Sequence, residues 1–296
     1  MKLKDFALAI LVTAIWGWNF SIIKLGLDTL DPFMLAGLRF LFCAIPLIFF
    51  IERPNTSIKA IAFYGLLFGT GVWGMVNLGV YLGVSAGVAS LLLQFSAFFT
   101  VFFGMIFFKE KVGLQQWIGF SLAMLGLLLV LNLTDGSVSY LGVAFVLLGA
   151  LCWALTNVVV KQVKPNNVFS FVVWACLFSA FPLFLLGYFV NGAEAMLLMT
   201  KNINSMALFS IFFQIYPATL FSFWIWSSLM KQYPISTVAP ISLVVPLFGL
   251  MGSMVIFNEE INAKKIIAFA LILTGLIVGL FGNKFYRMLV PAPKQA

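Results

Sequence analysis

The chain carries ten long apolar runs in two successive sets of five, and this arrangement fixes most of what it can fold into. Runs at residues 6–26, 33–51, 61–83, 86–108 and 114–132 make the first set. Runs at 139–160, 168–190, 206–229, 235–257 and 265–282 make the second. Each is close to the ~20 residues that cross a bilayer core. With 63% hydrophobic and 9% charged residues, the chain has too little polar surface to be soluble, so the runs are read as membrane spans. They far exceed the ~10-residue alternating strands of an outer-membrane barrel, and a backbone in hydrocarbon must satisfy its own hydrogen bonds. The expected fold is therefore an all-α membrane protein of ten transmembrane helices.

Five is odd, so the two sets cross the membrane in opposite directions and form an inverted repeat. Trp16 and Lys24 recur as Trp153 and Lys161 at an offset of 137, whereas Glu110, Phe120 and Gly126 recur as Glu259, Phe269 and Gly275 at an offset of 149. An insertion of 12 residues must lie between, and the stretch Asn191–Met206 accommodates it. The turn-rich Asn132–Ser137 divides the halves, giving repeats at 1–135 and 138–282 and a basic, proline-containing tail at 283–296 that is expected to be a disordered cytoplasmic end. Inverted repeats recur in secondary carriers, because two similar halves rock against each other around a site at their interface. The pattern points to a transporter. The first span is too long for a signal peptide, lacks a small-residue cleavage site and has an internal counterpart around Trp153, so it is expected to be retained.

Placing the N-terminus in the cytoplasm puts twelve basic residues on that side against four on the other, with Arg39 inside a span. The positive-inside rule then predicts two cytoplasmic termini in an inner (cytoplasmic) membrane. The net charge of +8 is explained by topology and anionic lipid headgroups, with no nucleic-acid partner. Connections are short and leave no room for a soluble domain. Cys43, Cys152 and Cys176 lie in spans at no metal-binding spacing and are read as packing residues.

Absences exclude much chemistry. The chain has no histidine, and its nine acidic residues all map to span ends or loops. No buried proton relay, zinc site, Ser–His or Cys–His nucleophile or paired aspartate at membrane depth is available, so neither enzyme, metal nor cofactor is expected. A small four-helix multidrug exporter places a Glu within its first helix; the first span here has none, which disfavours cationic substrates.

The positive and polar groups are more informative. Arg39 sits six residues into its span, about 9 Å from the span's outer end at 1.5 Å per residue. A charge at that depth costs roughly 2.5–3.5 kcal/mol on insertion scales and must find water, a partner or a substrate. Lys24 lies nearer the outer surface. Either would favour a carboxylate if it faced a cavity, and either could instead snorkel or bond helix-end carbonyls. A candidate lining follows from helical spacing: Trp16 with Asn19; Trp73, Asn77 and Tyr81; Ser90, Gln94 and Phe98; then Trp153, Thr156 and Asn157, Gln214, Tyr216 and Ser222, and Ser242. Each polar residue could equally tie one helix to another, but recurrence in both halves favours a shared cavity. The glycines of the third span read as close packing or as a helix that bends. Two prolines six residues apart, Pro240 and Pro246, free backbone carbonyls in the ninth span.

The runs WGWNFSIIKLGL, PFMLAGLRF, GVASLLLQFSAFFTVFFGMIFFKEKV and VAPISLVVPLFGLMGSMVIFNEEI resemble the EamA-type carriers of the drug/metabolite transporter superfamily, and within it the bacterial O-acetylserine/cysteine exporters. The resemblance covers both halves but not the tail. It implies ten helices, inward termini, a central substrate cavity and export of amino acids or related metabolites. Trp16, Asn19, Arg39, Trp73, Asn77, Tyr81, Gln94, Phe98, Trp153, Asn157 and Ser242 are the expected substrate-binding residues, with a small amino-acid metabolite and the lipid bilayer as partners. Two alternatives stand beside this reading: an exporter of aromatic or other hydrophobic metabolites, and a pore or structural membrane subunit. Saturable transport separates a carrier from a pore.

Overall fold

Each half begins with one uninterrupted long helix and then bends two of its helices at matching positions, and those bends shape the interior. The computed structural model describes residues 1–134, 136–194, 203–233 and 235–289; the insertion residues 195–202, the turn residue Asp135 and the tail beyond Leu289 lie outside the described residues. The elements are α1 (Leu3–Leu27), α2 (Pro32–Ala44), α3 (Ile58–Tyr81), α4 (Ala86–Phe108), α5 (Leu114–Leu131), α6 (Tyr140–Val163), α7 (Val168–Asn191), α8 (Ser205–Gln232), α9 (235–257) and α10 (Ala263–Leu289). No strand occurs among the described residues. Among them, nine helices are long and apolar enough to span, and α9 contributes a shorter apolar helix, Ile241–Phe257. The all-helical membrane fold is thus the one the apolar runs predict. Two boundaries differ: α2 ends at Ala44, just before Pro46, with a short 3-10 turn at Leu47–Phe49, and the last helix does not stop at residue 282 but continues to Leu289, since the run Asn283–Leu289 contains neither Gly nor Pro to end it.

Polar caps start the helices where the apolar runs begin. Asp31 accepts from the backbone N–H groups of Phe33 (2.9 Å) and Met34 (3.0 Å) ahead of Pro32 at the first helical position, and Ser85, Ser139, Asn167 and Asn204 cap α4, α6, α7 and α8 in the same way. At the far ends of α4 and α9, Lys109 (φ 54°) and Asn258 (φ 50°) adopt the left-handed conformation that closes a helix, and they are 149 positions apart.

The same offset relates the bends. In α3 the segment Leu67–Gly74 is a π-helix, and in α8 so is Tyr216–Phe221. In α4 the helix breaks at Gln94–Phe95, and in α9 a 3-10 segment, Ala239–Val244, takes the corresponding place. Pro217 and Pro246 stand in the first turns of the second π-segment and of the last α9 segment, where each withholds an N–H from the ladder. Pro217 therefore marks an irregularity as informative as the Pro240–Pro246 pair.

Glycines bring the backbones together. A Cβ on Gly119 would lie 2.4 Å from the Gly275 carbonyl oxygen, so α5 and α10 touch backbone to backbone within one chain. Gly65 of α3 meets Ala175 of α7 equally closely, with a would-be Cβ at 2.4 Å from its carbonyl oxygen. Small residues at such crossings are how apolar helices associate in lipid, where burial of apolar surface gives no drive. The π-segment shows that the glycine-rich third span both packs closely and departs from regular helix.

Candidate functional site

The bends surround a cavity of about 510 Å³ between the two halves, within the ~300–1,000 Å³ of small-molecule sites. Its wall comes from both repeats at equivalent positions. Trp16 and Phe20 of α1 match Trp153 and Asn157 of α6, and Leu93 and Gln94 at the α4 break match Ser242 and Leu243 in the α9 3-10 segment. Arg39 of α2, Trp73 of α3, Phe223 of α8 and Phe281 of α10 add to it, and Ser90 and Ala97, on either side of the α4 break, line it as well. Asn157, near the end of α6, lines the cavity yet is exposed, so the cavity communicates with the face at which α1 begins and α10 ends.

The π-segments explain how the polar side chains are held. A π-turn displaces backbone groups from the regular ladder, and in α8 those groups are used: Trp16 Nε1 donates to the Ala218 carbonyl (3.0 Å), and Arg39 Nε donates to Thr219 Oγ1 (3.0 Å), which itself donates to the Gln214 carbonyl (2.7 Å). At the α4 break, Gln94 Nε2 donates to the Ser242 carbonyl (3.4 Å), joining the two broken helices across the cavity.

Arg39 is the electrostatic centre. It is 1% exposed, and its guanidinium lies 4.2 Å above the Trp73 ring. A desolvated cation–π contact supplies about 2 kcal/mol and a hydrogen bond from a charged donor about 1.5–3 kcal/mol, enough to offset the roughly 2.5–3.5 kcal/mol of burying the charge. That balance explains how the residue is tolerated. It still leaves Arg39 Nη1 and Trp73 Nε1 buried without a hydrogen-bond partner. No carboxylate is present among the described lining residues.

The two faces differ. At the face opposite the start of α1, Glu259 accepts from Ser85 Oγ (2.7 Å), from Lys265 Nζ (2.9 Å) and from Ser253 Oγ, with Lys265 fully buried and Glu259 8% exposed. Beside it Lys24 Nζ sits 4.3 Å over the Phe257 ring. At the face where α1 begins the equivalent residues repeat the motif: Lys161 pairs with Glu110 and stacks over Phe108 at 4.2 Å. Here the charged side chains are 52% and 50% exposed. Gly104 and Gln116 stand where the other face has Ser253 and Lys265. One end is sealed by a buried network, and the other is open.

Of the eleven expected site residues, the structure brings seven to the cavity: Trp16, Arg39, Trp73, Gln94, Trp153, Asn157 and Ser242. Four lie elsewhere. Asn19 is sealed inside the bundle at 1% exposure, because in α1 it is Phe20, about 40° around the helix from Trp16, that faces the cavity. Asn77 and Tyr81 stand about 6 and 12 Å along the helix from Trp73, beyond the cavity: Asn77 donates to the Pro32 carbonyl (3.3 Å), and Tyr81 is 58% exposed at the helix end. Phe98 follows the α4 break, which turns it onto Phe95 and Phe120. Lys24 lies in the sealed end, away from the cavity. Sequence reasoning missed Thr219 and the Ala218 carbonyl; Pro217 was the signal for both.

The profile of the EamA-like transporter family matches residues 4–132 and 140–281. A protein of Escherichia coli K12 named "Probable amino-acid metabolite efflux pump" is 34% identical over 97% of this chain and 98% of its own length. A Bacillus subtilis protein named "Uncharacterized transporter YoaV" is 26% identical over 91% of this chain and 94% of its own. A crystal structure 17% identical in sequence superposes with a TM-score of 0.64 over 97% of this chain and 99% of that one, a likeness of fold.

Proposed function

Since the chain belongs to the EamA-like transporter family, we propose that it exports small amino-acid metabolites from the bacterial cytoplasm by alternating access, with cysteine and O-acetylserine foremost. The observation that carries this reading is a cavity built from equivalent positions of two inverted repeats, open at one face and sealed at the other. With both termini cytoplasmic, as the distribution of basic residues favours, the open end faces the cytoplasm and receives cargo there. Similarity to the amino-acid metabolite efflux pump supports the cargo class.

Opening to the other side requires the sealed end to part. Ser85 belongs to the first repeat and Glu259 to the second, so their hydrogen bond must break, and the close approach of Gly17 to α9 must loosen. The Glu110–Lys161 end then closes by the symmetry of the repeats. Broken and π-helical segments at the cavity supply the places where the helices bend. The test is metabolite release: bacteria expressing the protein should accumulate cysteine and O-acetylserine in the medium faster than vector controls. Equal release with the protein present in the inner membrane would refute it.

A further inference from the structure

Two side chains of the cavity wall, in contact with each other, each carry a buried hydrogen-bond donor that the fold leaves without a partner. Arg39 Nη1 and Trp73 Nε1 are both buried and unpartnered, and the guanidinium stacks on that same indole. Both residues line the cavity. Buried donors without acceptors are rare because each forfeits its hydration, and a charged one forfeits most. A hydroxyl or carbonyl could satisfy one of them, but a carboxylate presents two oxygens in one plane and carries the charge that Arg39 lacks a partner for.

We propose that Arg39 Nη1 and Trp73 Nε1 form a carboxylate subsite, so that the cargo is recognised through its acid group and only weakly through its amine. This rests on the reading of the cavity as the transport site. The second half of the statement follows from what stands opposite. No acid lines the cavity among the described residues, so an ammonium meets neutral acceptors such as Gln94 and Asn157 and the faces of Trp16 and Trp153. Neutral hydrogen bonds and aromatic faces compensate an ammonium only in part, whereas Arg39 compensates a carboxylate directly. Blocking the acid therefore costs more than deleting the amine. The cargo class is a monocarboxylate with a small neutral or aromatic body.

Calorimetric titration of the purified full-length protein with three probes tests this: O-acetyl-L-serine, its methyl ester, and 3-acetoxypropanoate, which keeps the acid and lacks the amine. The expected order is a methyl ester at least tenfold weaker than O-acetyl-L-serine, with 3-acetoxypropanoate within about tenfold of it. Arg39→Gln should abolish the difference between acid and ester. Trp73→Phe, which keeps the ring and removes the N–H, should weaken the acid several-fold and leave the ester unchanged; it retains the test if Arg39→Gln does not fold. Equal affinity of the wild-type protein for acid and ester overturns the carboxylate subsite alone. Binding of none of the three probes overturns the reading of the cavity as an amino-acid metabolite site, and the proposal with it.

Discussion

Replacing Glu259 by Gln, and separately its repeat equivalent Glu110 by Gln, applies one chemical change in two environments. At Glu259 the carboxylate is 8% exposed and holds the fully buried Lys265 at 2.9 Å. Removing one partner of a buried pair costs about 3–5 kcal/mol. Lys265 keeps the Glu260 carbonyl at 3.0 Å, and the amide oxygen introduced by Glu259→Gln would still accept from Ser85, so the lower end, about 3 kcal/mol, is expected. At Glu110 both charged side chains are about half exposed, and pairs of that kind contribute about 0–1 kcal/mol. The difference of about 2–3 kcal/mol corresponds to roughly 30- to 150-fold in an unfolding equilibrium. Reversible unfolding of each variant in mixed micelles at pH 7 reads it out. Equal losses in the two variants would refute the claim that the two faces are in different states.

Three further expectations follow from single contacts. Ser85→Ala removes the hydrogen bond between the repeats at the sealed end, so a cysteine introduced at Ser90 in a background without native cysteines should label faster with an impermeant thiol reagent from the outer side; an unchanged rate would contradict a gate there. Gly119→Val places methyl groups into the Gly275 carbonyl, where a Cβ alone would sit at 2.4 Å, and overpacking of this kind should cost about 1–3 kcal/mol in thermal stability; an unaffected variant would show that α5 and α10 part freely. Tyr233 donates its hydroxyl to Asp5 (2.6 Å), and that bond holds the phenol above its ordinary value of 10. Because the folded value is raised, the contact contributes stability below about pH 10 and loses it as pH rises through the raised value; an ultraviolet phenolate titration should show one tyrosine moving to lower pH in Asp5→Asn, and coincident curves would exclude the contact.

The fold was legible because its determinants are periodic and long. Ten apolar runs, their count per half and offset residues such as Glu110 and Glu259 require no knowledge of tertiary contacts. The site was legible only where helices are regular or where a residue is energetically conspicuous. Arg39 announced itself through the cost of its charge, and Trp16 with Trp153 through the repeat. Spacing of four groups Asn77 and Tyr81 with Trp73 near one face but moves each about 6 Å along the membrane normal, out of a cavity of limited depth. The spacing of Phe98 from Gln94 places both on one face only if α4 is continuous, and the break at Gln94–Phe95 resets the helical phase. Thr219 was invisible because its role depends on a π-turn that places it against a helix 180 residues earlier in the chain.

Counterflow in proteoliposomes tests most directly whether the cavity between the halves is an alternating-access site for amino-acid metabolites. Vesicles preloaded with unlabelled O-acetyl-L-serine and diluted into a trace of labelled compound should accumulate label transiently above its equilibrium level, saturably. Filling the cavity with Ala97→Trp should abolish the overshoot while the variant remains folded. Linear, unsaturable entry of label without overshoot, or an overshoot undiminished in Ala97→Trp, would contradict the account.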